Sequence, residues 1–321
     1  MLPSFDGAPP RIALVPRGEK RPLWSVMIPT FNCAKYLRQT LASVLAEDRG
    51  AEQMQIEVID DCSTKDDPEA IVREIGKGRA VFHRKDQNEG AIANFNTCLE
   101  RSRGHLVHIL HGDDFVRSGF YQRIANASQA NPETAAFFTR SFYVDEKGDL
   151  LDLSGRLPFL EQPTRNPGSL FDHNDLATPG VVVRRDFYEK HGGFLPGLVH
   201  CADWEMWVRA IVLGGGLLIN EPLAAYRFFE GNDTHRLWRT GENFRDNLRL
   251  AAIWEEKYPT FDRARFQRLL ARRAWVQAEI YRNKNELEAS SANRKIWAEL
   301  TPPLRQVAER IYYLIRDAAK R

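Results

Sequence analysis

Cysteine is scarce in this chain, with four in 321 residues. Cys33, Cys62, Cys98 and Cys201 are scattered, with neither a Cys-x-x-Cys pair nor the Cys/His spacing of a zinc site. That excludes a disulfide framework and a structural metal and leaves free thiols in a reducing compartment. No apolar run approaches the ~20 residues of a membrane span. The first 22 residues also lack a signal-peptide core, because Ile12-Ala-Leu-Val15 is short and closes on Pro16. Strong net charge is missing too. A formal balance of +2 gives nucleic acid no overall electrostatic hold, although the last third of the chain is richer in Arg than the middle. Together these absences predict a soluble, cytoplasmic protein without a nucleic-acid partner. Three loops are absent as well. No Gly-x-Gly-x-x-Gly follows the first predicted strand, where Pro29-Thr-Phe-Asn32 stands instead, so a dehydrogenase is disfavoured. The glycine-rich basic loop of a sugar-nucleotide pyrophosphorylase and the lysine loop of a P-loop enzyme are missing from the same place.

What is present is a chain able to bury a large core, 43% hydrophobic, sized for one long α/β domain plus an appendage or for two modest domains. Residues 1–22 hold five prolines among small and charged residues and read as a flexible tail. Strands are expected at Trp24–Ile28, Gln55–Ile59, Ala80–Arg84 and Leu106–Leu110, alternating with helices. Leu37, Leu41, Val44 and Leu45 mark the first helix, with Asn32 placed to cap it. Asp67 followed by Pro68 starts the second, and Ala91 to about Arg103 forms the third. Alternation with short links implies a parallel sheet with right-handed crossovers. A helix near Gly119–Gln129 and a strand over Ala135–Val144 follow. Residues 150–176 have no period, the pattern of a substrate-facing loop. Order returns with a strand at Pro179–Val183, a helix at Asp203–Leu213, and two strands at Leu217–Ile219 and Ala224–Phe228. From about residue 236 the sequence becomes a helical region rich in Arg and Glu, with Trp238, Trp254, Trp275, Ile280, Ile311, Tyr312 and Leu314 among its apolar anchors. This sets a domain over 23–235 and a C-terminal helical region over 236–321.

The chain is organised around Leu106-Val-His-Ile-Leu110, an apolar strand that runs through His111-Gly112 into Asp113-Asp114. Ligands of open α/β sheets bind at the carboxyl ends of the strands. Adjacent carboxylates repel, and a divalent cation carrying a phosphate removes that conflict. A solvated acidic turn would need no ligand. Two further acidic sets stand at predicted strand ends or helix starts, Asp60/Asp61 and Asp203/Glu205, and the ordered set favours a functional site.

In sequence the chain resembles a family 2 glycosyltransferase of the GT-A fold over roughly residues 23–230. The matching pieces are Val26-Met-Ile-Pro-Thr-Phe-Asn32, Glu57-Val-Ile-Asp-Asp-Cys-Ser-Thr64, Asn88-Glu-Gly90 with Asn96, Gly104 to Asp114, and Gly192-Gly-Phe194 leading to Ala202-Asp203-Trp-Glu-Met-Trp-Val-Arg209. The resemblance implies a Rossmann-like, mostly parallel α/β sheet flanked by helices, with the C-terminal helices outside it. It also implies transfer of a sugar, with inversion, from a nucleoside-diphosphate sugar (UDP favoured) to an acceptor hydroxyl. By resemblance Pro29, Thr30 and Asn32 line the nucleotide cleft, Asp61 bonds the base with Asp60 beside it, and Asn88 belongs to the same cleft. Asp114 holds Mn2+ or Mg2+, Asp113 serves the ribose or the metal, and Asp203 is the catalytic base. His235 is a further metal or diphosphate candidate, or a surface histidine. Trp204 and Trp207 stand beside the base as sugar platforms or core residues. Three departures mark this sequence: His111 replaces the first acid of the longer Asp-x-Asp-Asp form, Ala202 replaces the usual Glu before the catalytic Asp, and Cys62 stands where Gly is common. The expected acceptor is a glycan, a lipid-linked sugar or a protein in cell-surface polysaccharide or glycoconjugate synthesis. The C-terminal helices offer a homodimer contact or, through Arg310–Arg316, a peripheral contact at the inner membrane face. The alternative is a catalytically silent nucleotide-binding or scaffold protein of the same fold.

Overall fold

The computed structural model describes residues 7–303 and Gln306. The chain divides into two compact units, one ending at Phe229 and the other beginning at Glu230. The first opens with β1 (Trp24–Thr30), α1 (Ala34–Leu45), β2 (Met54–Asp60), α2 (Pro68–Gly76), β3 (Val81–Arg84), α3 (Ala91–Arg101) and β4 (Leu106–Ile109). β3, β2, β1 and β4 lie side by side, all parallel. The cause is visible in β1, where every residue is buried. Trp24, Val26 and Ile28 meet Leu37, Leu41 and Val44 of α1 in one core, each contributing about 1.5–3 kcal/mol by burial.

The parallel winding stops at β4. Next come β5 (Phe115–Val116), α4 (Phe120–Ala130), β6 (Ala136–Val144), β7 (Leu150–Leu153), β8 (Val181–Arg184), α5 (Arg185–His191), α6 (Ala202–Gly214) and β9 (Gly216–Arg227). The sheet order is β3-β2-β1-β4-β8-β6-β9-β5, with β7 beside β6. β8 runs antiparallel to both β4 and β6, and only the β6–β9 pair returns to parallel. The sheet is therefore parallel in its first half and mixed in its second, because β8 enters from a long loop and not from a helical crossover. The two strands expected at 217–219 and 224–228 are one strand, β9, whose register slips beside Arg140 on β6. The aperiodic segment is ordered by Leu157, Leu160, Leu170 and Leu176, all buried, around short 3-10 turns at Pro158–Leu160, Gly168–Phe171 and Thr178–Gly180.

Two local readings change. Asn32 does not cap α1: its φ is +50°, and its side-chain oxygen accepts from the Thr64 and Lys65 amides in the loop after β2. The Ala34 amide at the start of α1 donates instead to Asp66. The amino-terminal segment is also not a free tail from Pro10 to Ala13. The Gly193 amide donates to Pro10 O, Arg185 donates to Ala13 O, and Ile12 is buried. Gly192 allows this because a Cβ there would lie 2.8 Å from Pro9 Cβ and 2.9 Å from Pro10 O. Asp67 does cap α2, accepting from the Ala70 amide ahead of Pro68.

The second unit is helical: α7 (Asp233–Thr240), α8 (Glu242–Lys257), α9 (Arg263–Asn283) and α10 (Leu287–Leu300). Trp254, Phe266, Leu270, Trp275, Ile296 and Trp297 are buried in it. Ile280, expected as an anchor, is 50% exposed. The Asn293 amide, fully buried, donates to Trp238 O and Ala289 O. Ile311, Tyr312, Leu314 and the Arg310–Arg316 stretch lie outside the described residues. No helix among the described residues is long and apolar enough to cross a membrane.

Candidate active site

The carboxyl ends of β1, β2 and β4 carry the first two acidic sets. Thr30 pairs in register with Asp60, and the Asp61 amide donates to Thr30 O, so β1 and β2 deliver their terminal residues together. Asp60 has no exposed surface. Its oxygens accept from the Ser63 amide and hydroxyl and from Arg84 Nε, which leaves it shaping the loop and not facing a ligand. Arg84, at the end of β3, is paired with Asp60 in this way. Asp61 is 2% exposed. It accepts from the Glu89 and Gly90 amides and lies 3.0 Å from Lys85 Nζ. The Asn88 side chain donates to the Asp61 carbonyl, so Asn88 holds the loop from behind. Cys62 between them has φ +62°, a left-handed backbone that explains why glycine suits this position. Cys62→Gly is expected to raise stability by about 0.5–1 kcal/mol, read as a shift in the urea midpoint.

The β4 exit is packed against β1. The Gly112 amide donates to Pro29 O, and a Cβ at Gly112 would lie 2.8 Å from Cys33 Sγ and 2.9 Å from Thr30 Oγ1. Only glycine passes there. Asp114 is 1% exposed; its Oδ1 accepts from the Arg227 amide at 2.7 Å. Its Oδ2 is buried without a hydrogen-bond partner among the described residues. Burial first, then the neighbouring Asp113, push the Asp114 carboxyl well above the ordinary carboxylate range, against the opposing pull of the Arg227 amide. One donor atom each from His111, Asp113 and Asp114 fall within 4.8 Å of one another. His111 stacks on Phe95 with ring centroids 5.0 Å apart, and burial lowers its pKa to about 4, so it is neutral at pH 7. This donor set, with an orphaned buried carboxylate oxygen, fits a divalent cation.

Arg227 locks the turn from below. Its guanidinium donates to the carbonyls of Asp113, Asp145 and Glu146 and to Gln39 Oε1. This buried arginine is thus engaged largely by main chain. Arg227→Met strips partners from several carbonyls and is expected to cost roughly 1–3 kcal/mol in chemical denaturation, with weaker metal binding because the Asp113 turn loosens.

Asp203 lies one residue inside α6, behind Cys201 at the N-cap. Its Oδ2 accepts from Thr178 Oγ1 at 3.1 Å and Asn174 Nδ2 at 3.5 Å, and its Oδ1 from the Trp204 amide at 2.6 Å. Burial lifts its pKa to about 6 while those hydrogen bonds pull the other way. Trp204 and Trp207 are buried, and Trp204 Nε1 donates to Leu170 O, so both belong to the core and not to a sugar platform. Next to Thr178, the Pro179 carbonyl accepts from His108 Nε2 on β4, which requires His108 Nδ1 to accept from Tyr121. One strand therefore carries the Asp113/Asp114 turn at its end and, through His108, anchors the turn that holds Asp203. His235 belongs to the second unit, in the first turn of α7, where its amide donates to Asn232 and its ring faces Trp238. Sequence reasoning missed Thr178, Asn174 and Lys85, which sit in no periodic element, and read His111 only as a lost acid.

The mixed α/β sheet, with acidic turns at one edge, has the GT-A fold, which it shares with solved structures. The glycosyl transferase family 2 model matches residues 25–192, more than half of the chain, and the protein belongs to that family. An uncharacterized protein of Mycobacterium tuberculosis is 27% identical over 241 residues, covering 72% of this chain and 75% of its own. Staphylococcus aureus TarS 1-349, solved in complex with UDP, superposes with a TM-score of 0.55 at 16% identity, over 88% of this chain and 91% of that one. A mannosyltransferase of Pyrobaculum calidifontis, solved with GDP-Man and Mn2+, gives a TM-score of 0.56 at 17% identity, over 97% and 83%.

Proposed function

We propose that this glycosyltransferase moves a sugar from a nucleoside-diphosphate sugar, UDP-sugars first, to an acceptor hydroxyl with inversion, in cell-surface polysaccharide or glycoconjugate synthesis. The reading is supported by two acid groups linked by β4: the Asp113/Asp114 turn at its end, and Asp203 of α6, whose partner Thr178 precedes the Pro179 that His108 binds. The complexes of TarS with UDP and of the mannosyltransferase with GDP-Man and Mn2+ support a nucleotide donor.

Asp61, Pro29, Thr30, Asn32 and Asn88 form the nucleotide side, with Asp60 fixing the loop. Asp114 and Asp113 would hold Mn2+ or Mg2+, which when bound would neutralise charge developing on the leaving diphosphate. Asp203 takes the proton of the acceptor hydroxyl as its oxygen attacks the anomeric carbon opposite the leaving group. A single displacement inverts the configuration, so no enzyme nucleophile is required. We take the catalytic domain to be the unit ending at Phe229, a few residues short of the 235 expected from sequence, with the helices α7 to α10 as the region that follows it.

The test is a melting-temperature screen over nucleoside diphosphates with and without Mn2+, followed by detection of sugar-nucleotide hydrolysis. A metal-dependent rise for one nucleotide names the base. No rise with any nucleotide, and no hydrolysis, would leave a silent scaffold in its place.

A further inference from the structure

We infer that His111 is a ligand of the metal, so that the ion sits between one imidazole nitrogen and two carboxylates, and that the site therefore prefers Mn2+ and later transition ions to Mg2+. This rests on the metal–diphosphate reading above.

The two histidines of this stretch differ in what the fold asks of them. His108 has a partner on each ring nitrogen, Tyr121 on one side and Pro179 O on the other. His111 has none at hydrogen-bonding geometry. Its Nδ1 lies 3.5 Å from Asp114 Oδ2, beyond the usual range for a hydrogen bond, and its Nε2 is buried without a partner among the described residues. Asp114 Oδ2 is itself buried and unpartnered. The His111 nitrogen that faces Asp114 Oδ2 is Nδ1, too far for a hydrogen bond, and a buried carboxylate oxygen left unsatisfied is costly unless something sits with it. The ring is held in place by its stack on Phe95 and by the turn in which the Asp114 amide donates to His111 O. Donor atoms of all three residues already lie within 4.8 Å of one another.

The chemistry of the donors then sets the preference. Sites built of oxygen alone suit Mg2+, while an imidazole nitrogen favours ions further along the first transition row; Mn2+ accepts both. His111 thus offers a borderline donor where an oxygen ligand would be a hard one.

The experiment uses the full chain loaded with Mn2+ in the presence of UDP and, separately, GDP. Pulsed EPR of the bound Mn2+ is expected to show modulation from a directly bonded nitrogen. That pattern changes when histidine is labelled with nitrogen-15 and disappears in His111→Gln. In competition, Mg2+ displaces Mn2+ poorly from the wild type, and His111→Asp improves displacement by Mg2+ roughly tenfold or more. Bound Mn2+ without nitrogen coupling, coupling that survives in His111→Gln, or an unchanged Mg2+ competition in His111→Asp would each overturn the assignment while leaving the metal–diphosphate site intact. Failure to bind Mn2+ with either nucleotide would overturn both.

Discussion

Asp114→Asn abolishes metal-dependent nucleotide binding and at the same time raises the melting temperature of the unliganded protein. The two effects share one cause. Asp114 Oδ1 is satisfied by the Arg227 amide, and an Asn carbonyl keeps that bond. Oδ2 is buried, unpartnered and next to Asp113, which is why the carboxyl resists ionisation. Removing its charge relieves repulsion in the fold, while removing the anionic oxygen deletes the strongest donor for a cation. The stability gain is expected to be a few degrees, since ~1 kcal/mol corresponds to about 2–4 °C in a domain of this size. The activity loss is expected to be on the order of 10³-fold, as for deletion of an electrostatic stabiliser of the leaving charge. Differential scanning fluorimetry with and without Mn2+ and UDP reads both. A variant that melts lower, or keeps its metal-induced shift, contradicts the argument.

Asp203→Asn gives the opposite pattern: donor binding unchanged and transfer reduced ~10²–10⁴-fold, the usual worth of a general base. The pH profile carries more information than the loss itself. Asp203 must be ionised to accept a proton, so activity of the wild type should fall with decreasing pH below about 6. Thr178→Val removes a hydrogen bond that favours the carboxylate, so the acidic limb moves to higher pH. A change in packing alone would lower the rate without moving that limb. Stability follows the same linkage. Between the ordinary value of 3.8 and about 6 the folded chain keeps a proton that the unfolded chain has released, so stability falls as pH rises through that window. Asp203→Asn should flatten this slope in urea titrations followed across pH 4 to 7. An unaltered acid limb in Thr178→Val would remove Thr178 from any role in tuning the base.

Much of the first half of the fold was legible because its code is local. The continuous apolar runs of β1 and β4, the spacing of Leu37, Leu41 and Val44, and Asp67 before Pro68 each specify their own element. The second half depends on tertiary pairing. β8 reads as any short apolar strand, and nothing in Val181-Val-Val-Arg184 says that it runs antiparallel to β4. β9 was split in two because Pro222 interrupts the pattern, yet the irregular register beside Arg140 absorbs it. At the site, the acids announced themselves by type and position. Their partners did not: Thr178 and Asn174 reach Asp203 from a loop held by scattered leucines, and a threonine in an aperiodic stretch carries no signal of what it touches. Asn32 looked like a helix cap because the residue type suits one, but its positive φ turns the side chain to the neighbouring loop.

The ordered amino-terminal segment bears on how the chain is shortened or tagged. Starting it at Pro22 would withdraw the Pro10 carbonyl from the Gly193 amide, the Ala13 carbonyl from Arg185, and Ile12 from its buried seat. The Gly192-Gly193 corner leads by a short loop into the helix that bears Asp203. A trimmed enzyme with poor turnover would therefore be reporting a loosened corner and not a missing catalytic group.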